Sequence, residues 1–158
     1  MQKEQILDFN RRLSQCNRGE LVVITYDIMF AYMKDAAEAM AESEHEALKT
    51  AIHKAQAALG RLIATLDFAY PISRDLYTLY QFCNRELSRA LYENRPDGLC
   101  EAEKILKKLY GSFVEVAKQD TSGPFMENAQ QVVAGMTYGR GELVENFIEN
   151  GYNRGFLA

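Results

Sequence analysis

Residues 43–67 read SEHEALKTAIHKAQAALGRLIATLD. Leu48, Ile52, Ala55, Leu59, Leu62 and Leu66 recur here at alternating spacings of four and three, which is the seam of an amphipathic helix. Ser43, with Glu46 three positions on, forms a capping-box pair, so the helix is expected to start there after a break near Glu42. It should fail near Asp67, because Tyr70 precedes Pro71 and the residue before a proline is pushed out of the α region.

Working outward, the same periodicity appears on both sides. Upstream, Leu21, Thr25, Ile28, Tyr32 and Ala36 make a seam that Val22, Met29, Met33 and Met40 widen, and Asn17 with Glu20 supplies another capping box. Downstream, Ser73 is the expected cap of a helix carrying Leu76, Tyr80, Cys83, Leu87 and Leu91, with exposed pairs Glu86–Arg89 and Arg89–Glu93. Asn94-Arg95-Pro96-Asp97-Gly98 reads as a turn. A further helix follows with Leu99, Ala102, Ile105, Leu106, Leu109, Phe113, Val116 and Ala117, and Thr121-Ser122-Gly123-Pro124 ends it. Gly60, inside a helix, suggests a close crossing of two helices.

Four periodic segments of about 20–25 residues with short connections predict an all-α fold, an antiparallel up-down four-helix bundle. Its boundaries are set at 1–122, with a mobile N-terminal segment, and 123–158 are expected to form a C-terminal extension. Half of the ten glycines lie beyond Pro124. Phe125, Met126, Ala129, Val132, Val133 and Met136 there have the spacing of a short added helix, and the apolar islands Leu143/Val144, Phe147/Ile148 and Phe156/Leu157 suggest packing back onto the bundle, over part of any partner groove.

Composition excludes several function classes. The chain has 158 residues, with 18 Lys and Arg against 22 Asp and Glu, a net charge of −4. Scattered cations in an acidic chain give no nucleic-acid footprint, and no window reaches the ~18–20 uncharged apolar residues of a membrane span. The N-terminus carries acids and lacks an apolar signal core, so a cytoplasmic location is expected. Cys16, Cys83 and Cys100, three in number and widely spaced, fit neither a disulfide framework nor a zinc site.

Catalytic candidates are thin. Glu42-Ser43-Glu44-His45 is one Glu-x-x-His string of the kind di-metal bundles use in pairs, but it lies across a helix break and has no second copy. His53 invites comparison with phosphotransfer bundles, yet Gln56 and Ala57 stand where such sites place Lys and Gly. Gly139-Arg140-Gly141 follows no strand and lacks a third glycine. We therefore expect neither an enzyme nor a cofactor or metal. The remaining feature is an excess of Met and aromatic residues: Tyr26, Met29, Phe30, Tyr32 and Met33 on the first long helix, Tyr77, Tyr80 and Phe82 on the third. They suit either the core of a wide apolar face or a groove for amphipathic partner helices, and periodicity leaves both open.

Several strings in order then resemble a known family. Leu21 through Tyr26-Asp27, Lys54-Ala55 leading into Leu62-Ile63-Ala64-Thr65-Leu66-Asp67, and Asp75-Leu76-Tyr77-Thr78-Leu79-Tyr80-Gln81-Phe82 with Leu87 beyond are similar to the flagellin export chaperones of the flagellar type III secretion system, the FliS family. The resemblance covers about Phe9 to Lys118. It departs from the family pattern at Asn17–Glu20, which lacks a proline, at Thr25 and Ile28, which replace Leu and Gly, and at the N-terminus, where Phe9 alone represents the family's tyrosines. It implies a chaperone that holds the disordered C-terminal segment of flagellin before export, with flagellar export apparatus or regulators as further candidate partners. The implied contact set is Tyr26, Met29, Met33, Leu66, Phe68, Tyr77 and Tyr80, with Phe9 and Leu13 as a mobile cover. The alternatives are a homodimeric interaction module using the same apolar face, or a phosphotransfer or metal-binding bundle.

Overall fold

Asn17 starts the first long helix as its side chain allows. Its Oδ1 accepts from the Glu20 amide at 2.8 Å, and the Glu20 carboxylate accepts from the Asn17 amide at 3.0 Å, closing both halves of a capping box. The computed structural model describes residues 3–124. These form five helices and no strand: α1 (Lys3–Gln15), α2 (Arg18–Ala41), α3 (His45–Ala64), α4 (Ile72–Glu93) and α5 (Pro96–Gln119). Helices α2 to α5 are the four periodic segments. α1 stands where the sequence suggested a mobile segment, and is an addition to the expected four. The expectations for the extension beyond Pro124, an added helix and packing on the rest of the chain, fall outside the described residues.

Three junctions differ from their expected form. Ser43 does not cap α3. It sits in the left-handed region at φ 59° and ends α2 in a Schellman motif, with the Glu44 amide bonded to Ala39 O at 2.9 Å and the Ser43 amide to Met40 O at 3.3 Å. Ser73 is likewise no cap. Pro71 holds that place, and the Ser73 hydroxyl, inside the first turn of α4, donates to Asp67 O at 2.6 Å. The α4–α5 turn is only Asn94, left-handed at φ 50°, and Arg95. Pro96, Asp97 and Gly98 already belong to α5, with proline at the helix start where its missing N–H costs nothing.

The core is continuous through α2 to α5. It joins Tyr26, Met29, Met33, Ala36 and Ala39 of α2 to Leu48, Ile52, Ala55, Leu59 and Leu62 of α3, Tyr80, Cys83, Leu87 and Ala90 of α4, and Leu99, Ala102 and Leu106 of α5. α2 packs on α3 and α5, and α4 packs on the same two helices; α1 leans on α2. The Gln56 amide reaches from α3 to the Ser88 hydroxyl (2.9 Å) and Asn84 O (3.3 Å) of α4. Where α5 begins, a Cβ on Gly98 would overlap the Glu86 carbonyl oxygen, so the close approach of two helices depends on Gly98. Gly60, expected in that role, is exposed with open space around it. Glu86 also departs from the expected polar face: it is buried, with the Arg89 guanidinium at 2.9 Å.

The end of α5 is fastened beside the start of α2. The Asn17 side-chain amide donates to Asp120 O at 3.0 Å and the Gly19 amide to the Asp120 carboxylate at 3.1 Å. The Asp120 carboxyl is held below its ordinary range by its bonds to Ser122 and Gly19.

Candidate functional site

The apolar surface of α2 is wider than one core contact uses. Tyr26, Met29, Met33 and Ala36 face inward, whereas Leu21, Thr25, Ile28 and Tyr32, the seam read first from the sequence, remain only partly covered. Leu21, Thr25 and Ile28 of this second stripe, with Val22, form one wall of a groove of about 690 Å³. Leu62 and Leu66 at the end of α3 and Ile72, Leu76 and Tyr80 of α4 form the opposite side, with Leu13 of α1 at one edge. Arg18, Arg61 and Asp67 are the charged groups on a lining that is otherwise mainly apolar. The connection 65–71 at the groove is ordered by local bonds: the Thr65 hydroxyl donates to Leu62 O, and Asp67 accepts from the Ala69 amide at 2.9 Å.

The groove continues under α1 as a smaller cavity of about 260 Å³, lined by Ile6, Phe9 and Leu13 together with Ile28, Tyr32, Ala57 and Ala58. No residue of α1 is buried. The helix is fixed chiefly near its end, where Arg12 meets Asp27 of α2 at 2.6 Å and its guanidinium lies 5.8 Å from the Phe9 ring centre. Tyr110 of α5 joins this contact, and its phenol is pushed up by burial and by a hydrogen bond to Asp27.

The residues expected from the sequence divide into three groups. Tyr26, Met29 and Met33 are core residues, at most 3% exposed, and offer no surface in the described fold. Leu66, Tyr80 and Leu13 line the groove, and Phe9 lines the adjoining cavity. Phe68 and Tyr77 are exposed beside it, their rings in edge contact at 5.8 Å. Leu21, Thr25, Ile28 and Leu76, read from the sequence only as helix seams, also line the groove, as does the core residue Leu62, and the sequence reading overlooked Tyr70 and Ile72, both more than 60% exposed. Their apolar character next to Pro71 was the available signal. His45 and His53 lie exposed on α3. Among the described residues no three His, Cys, Asp or Glu side chains are grouped to hold a metal, and no helix is long and apolar enough to cross a membrane.

No curated protein matches the chain. A family model described as Flagellar protein FliS matches residues 2–120, which takes in all five helices and every residue of the groove. With three quarters of its length matched, the chain belongs to the FliS family of flagellar export chaperones.

Proposed function

We propose that this chain is a cytoplasmic flagellin export chaperone, whose helices α2–α5 form an up-down antiparallel bundle and whose groove holds the C-terminal segment of unpolymerised flagellin. The groove itself carries the proposal: an open apolar trough of about 690 Å³ on a chain of this family. A disordered segment that folds as a helix on the groove would bury the apolar face it otherwise uses between flagellin subunits, so it is kept from polymerising and remains exportable by the type III apparatus. The contact set we propose is Leu66 and Tyr80 with Leu21, Ile28, Ile72 and Leu76, flanked by Phe68 and Tyr77. Phe9 and Leu13 act as a cover that leaves with α1. Tyr26, Met29 and Met33 shape the groove from behind.

Calorimetric titration of the full chain with a peptide from the C-terminus of the same organism's flagellin tests this. Saturable binding at tens of micromolar or below, weakened at least tenfold by Leu76→Asp, is expected; no heat and no rise in thermal midpoint contradicts it. The exposed Phe68, Tyr70, Ile72 and Tyr77 also favour a second reading, a homodimer closed over the same face. Light scattering separates the two, since a chaperone dimer of this kind would dissociate as the peptide is added.

A further inference from the structure

Lys54 and Arg61 stand seven residues apart on α3, two turns or about 10.5 Å along its axis, and both line the cavity under α1 with Ala57 and Ala58 between them. Both cations are exposed. Neither has an acid within reach on its own helix: the positions three and four away are Thr50, Ala51, Ala57 and Ala58 for Lys54, and Ala57, Ala58, Ala64 and Thr65 for Arg61. No acid lines the cavity. Among the described residues Arg61 joins no ion pair, whereas Arg11, Arg12, Arg89 and Arg95 each do. Lys54 is less isolated, since its ammonium lies 5.3 Å from the centre of the Tyr32 ring and its other side borders a hollow lined by Asp35 and Glu38.

The cover helix meets only the apolar half of this surface. It brings Ile6, Phe9 and Leu13 to the cavity, and the one polar side chain it adds there is Asn10. Its acids Glu4 and Asp8 line a separate hollow with Arg12 and Asp27. Arg61 also lines the larger groove, where the other charged groups are Arg18 and Asp67. It therefore stands where the two cavities adjoin, on the path of any segment that takes the place of α1.

We propose that Arg61, assisted by Lys54, selects the guest by charge: the segment that replaces α1 is an acidic amphipathic helix with carboxylates about two turns apart on one flank of its apolar face. This rests on the reading that the groove holds a flagellin segment. The short side chains at 57 and 58 let a second helix lie close to α3, which brings flanking carboxylates to the two cations. A guest slid by one turn keeps its apolar contacts but misplaces its acids, so the pair fixes register as well as partner. α1 fills the same cavity without acids and leaves both cations to solvent, so an acid-bearing guest displaces it with contacts that α1 does not make.

The test is a cycle of paired substitutions read by calorimetry on the full chain, at about 0.05 M and about 0.5 M salt. The probe is the flagellin C-terminal peptide, with each Asp replaced singly by Asn and each Glu by Gln. Arg61→Gln should leave the thermal midpoint unchanged and weaken binding about fivefold at the lower salt, less at the higher. One acid replacement in the peptide should cost a similar factor against the unmodified chain and nothing further against Arg61→Gln. Lys54→Gln should cost about twofold and couple in the same way to an acid about seven residues from the first. Arg85→Gln, which removes the same charge from an exposed position of α4 outside both cavities, should change binding by less than the Lys54 variant. Equal binding by the unmodified chain and Arg61→Gln, equal losses for Arg61→Gln and Arg85→Gln, or a loss coupled to no acid of the peptide overturns this proposal alone. An unmodified chain that binds no peptide overturns the functional reading and this proposal with it.

Discussion

Gly60 and Gly98 both sit inside helices, and what surrounds each one gives opposite predictions. Around Gly60 nothing would meet an added Cβ, so Gly60→Ala should stabilise the fold by about 0.5–1 kcal/mol through helix propensity and a less free unfolded chain. At Gly98 the Glu86 carbonyl blocks the same methyl, and Gly98→Ala should cost about 1–3 kcal/mol, seen as a drop of several degrees in thermal midpoint. Ser43 is the complementary case. Its left-handed backbone costs about 1–2 kcal/mol, and glycine removes that while adding about 0.4–1 kcal/mol of unfolded-state entropy. Ser43→Gly should therefore gain about 0.5–1 kcal/mol in denaturant melts. These positions also show where local sequence rules stop. Asn17–Glu20 was legible because both partners of the cap lie in one short string. Ser43–Glu46 has the same spacing, but the end of α2 claims Ser43 first. Gly98 looked like a turn residue because its constraint comes from another helix.

At the scale of elements, α2 was visible in the sequence as an apolar helix, but which of its stripes is covered was left open. Period alone marks stripes; which one is covered depends on where α3 and α5 dock, and that is set by residues far away in the chain. The aromatic and Met side chains, being larger, fill the core, and the Leu21–Ile28 stripe is left to the groove. α1 escaped notice because Ile6, Leu7, Phe9 and Leu13 are few among polar residues, and its order comes from contact with α2. That contact leads to a prediction. The Arg12–Asp27 pair is partly exposed, with side-chain exposures of 37% and 22%, so it is worth about 0.5–1 kcal/mol. Arg12→Gln should loosen α1 and tighten peptide binding about two- to fivefold if α1 must leave, with faster amide exchange at residues 3–15. Weaker binding would mean that α1 holds the peptide.

For the whole molecule, the buried acids predict how the fold responds to alkali. Burial raises the phenols of Tyr26 and Tyr80 and takes the Cys83 thiol from 9.0 to about 11. Unfolded, these groups begin to lose protons at about their ordinary values; folded, they keep them. Their stabilising contribution is thus complete below about pH 9 and declines as pH rises toward the folded values. The thermal midpoint should fall between pH 9 and 11, and a rise over that interval would contradict the burial described. The central claim, that the trough between α2, α3 and α4 is where flagellin lies, is tested most directly by hydrogen–deuterium exchange on the full chain with and without the flagellin C-terminal peptide. The account predicts new protection at residues 18–28 and 61–76 together with faster exchange at 3–15. Protection confined to other helices, with residues 18–28 and 61–76 unchanged while the peptide is bound, would contradict it.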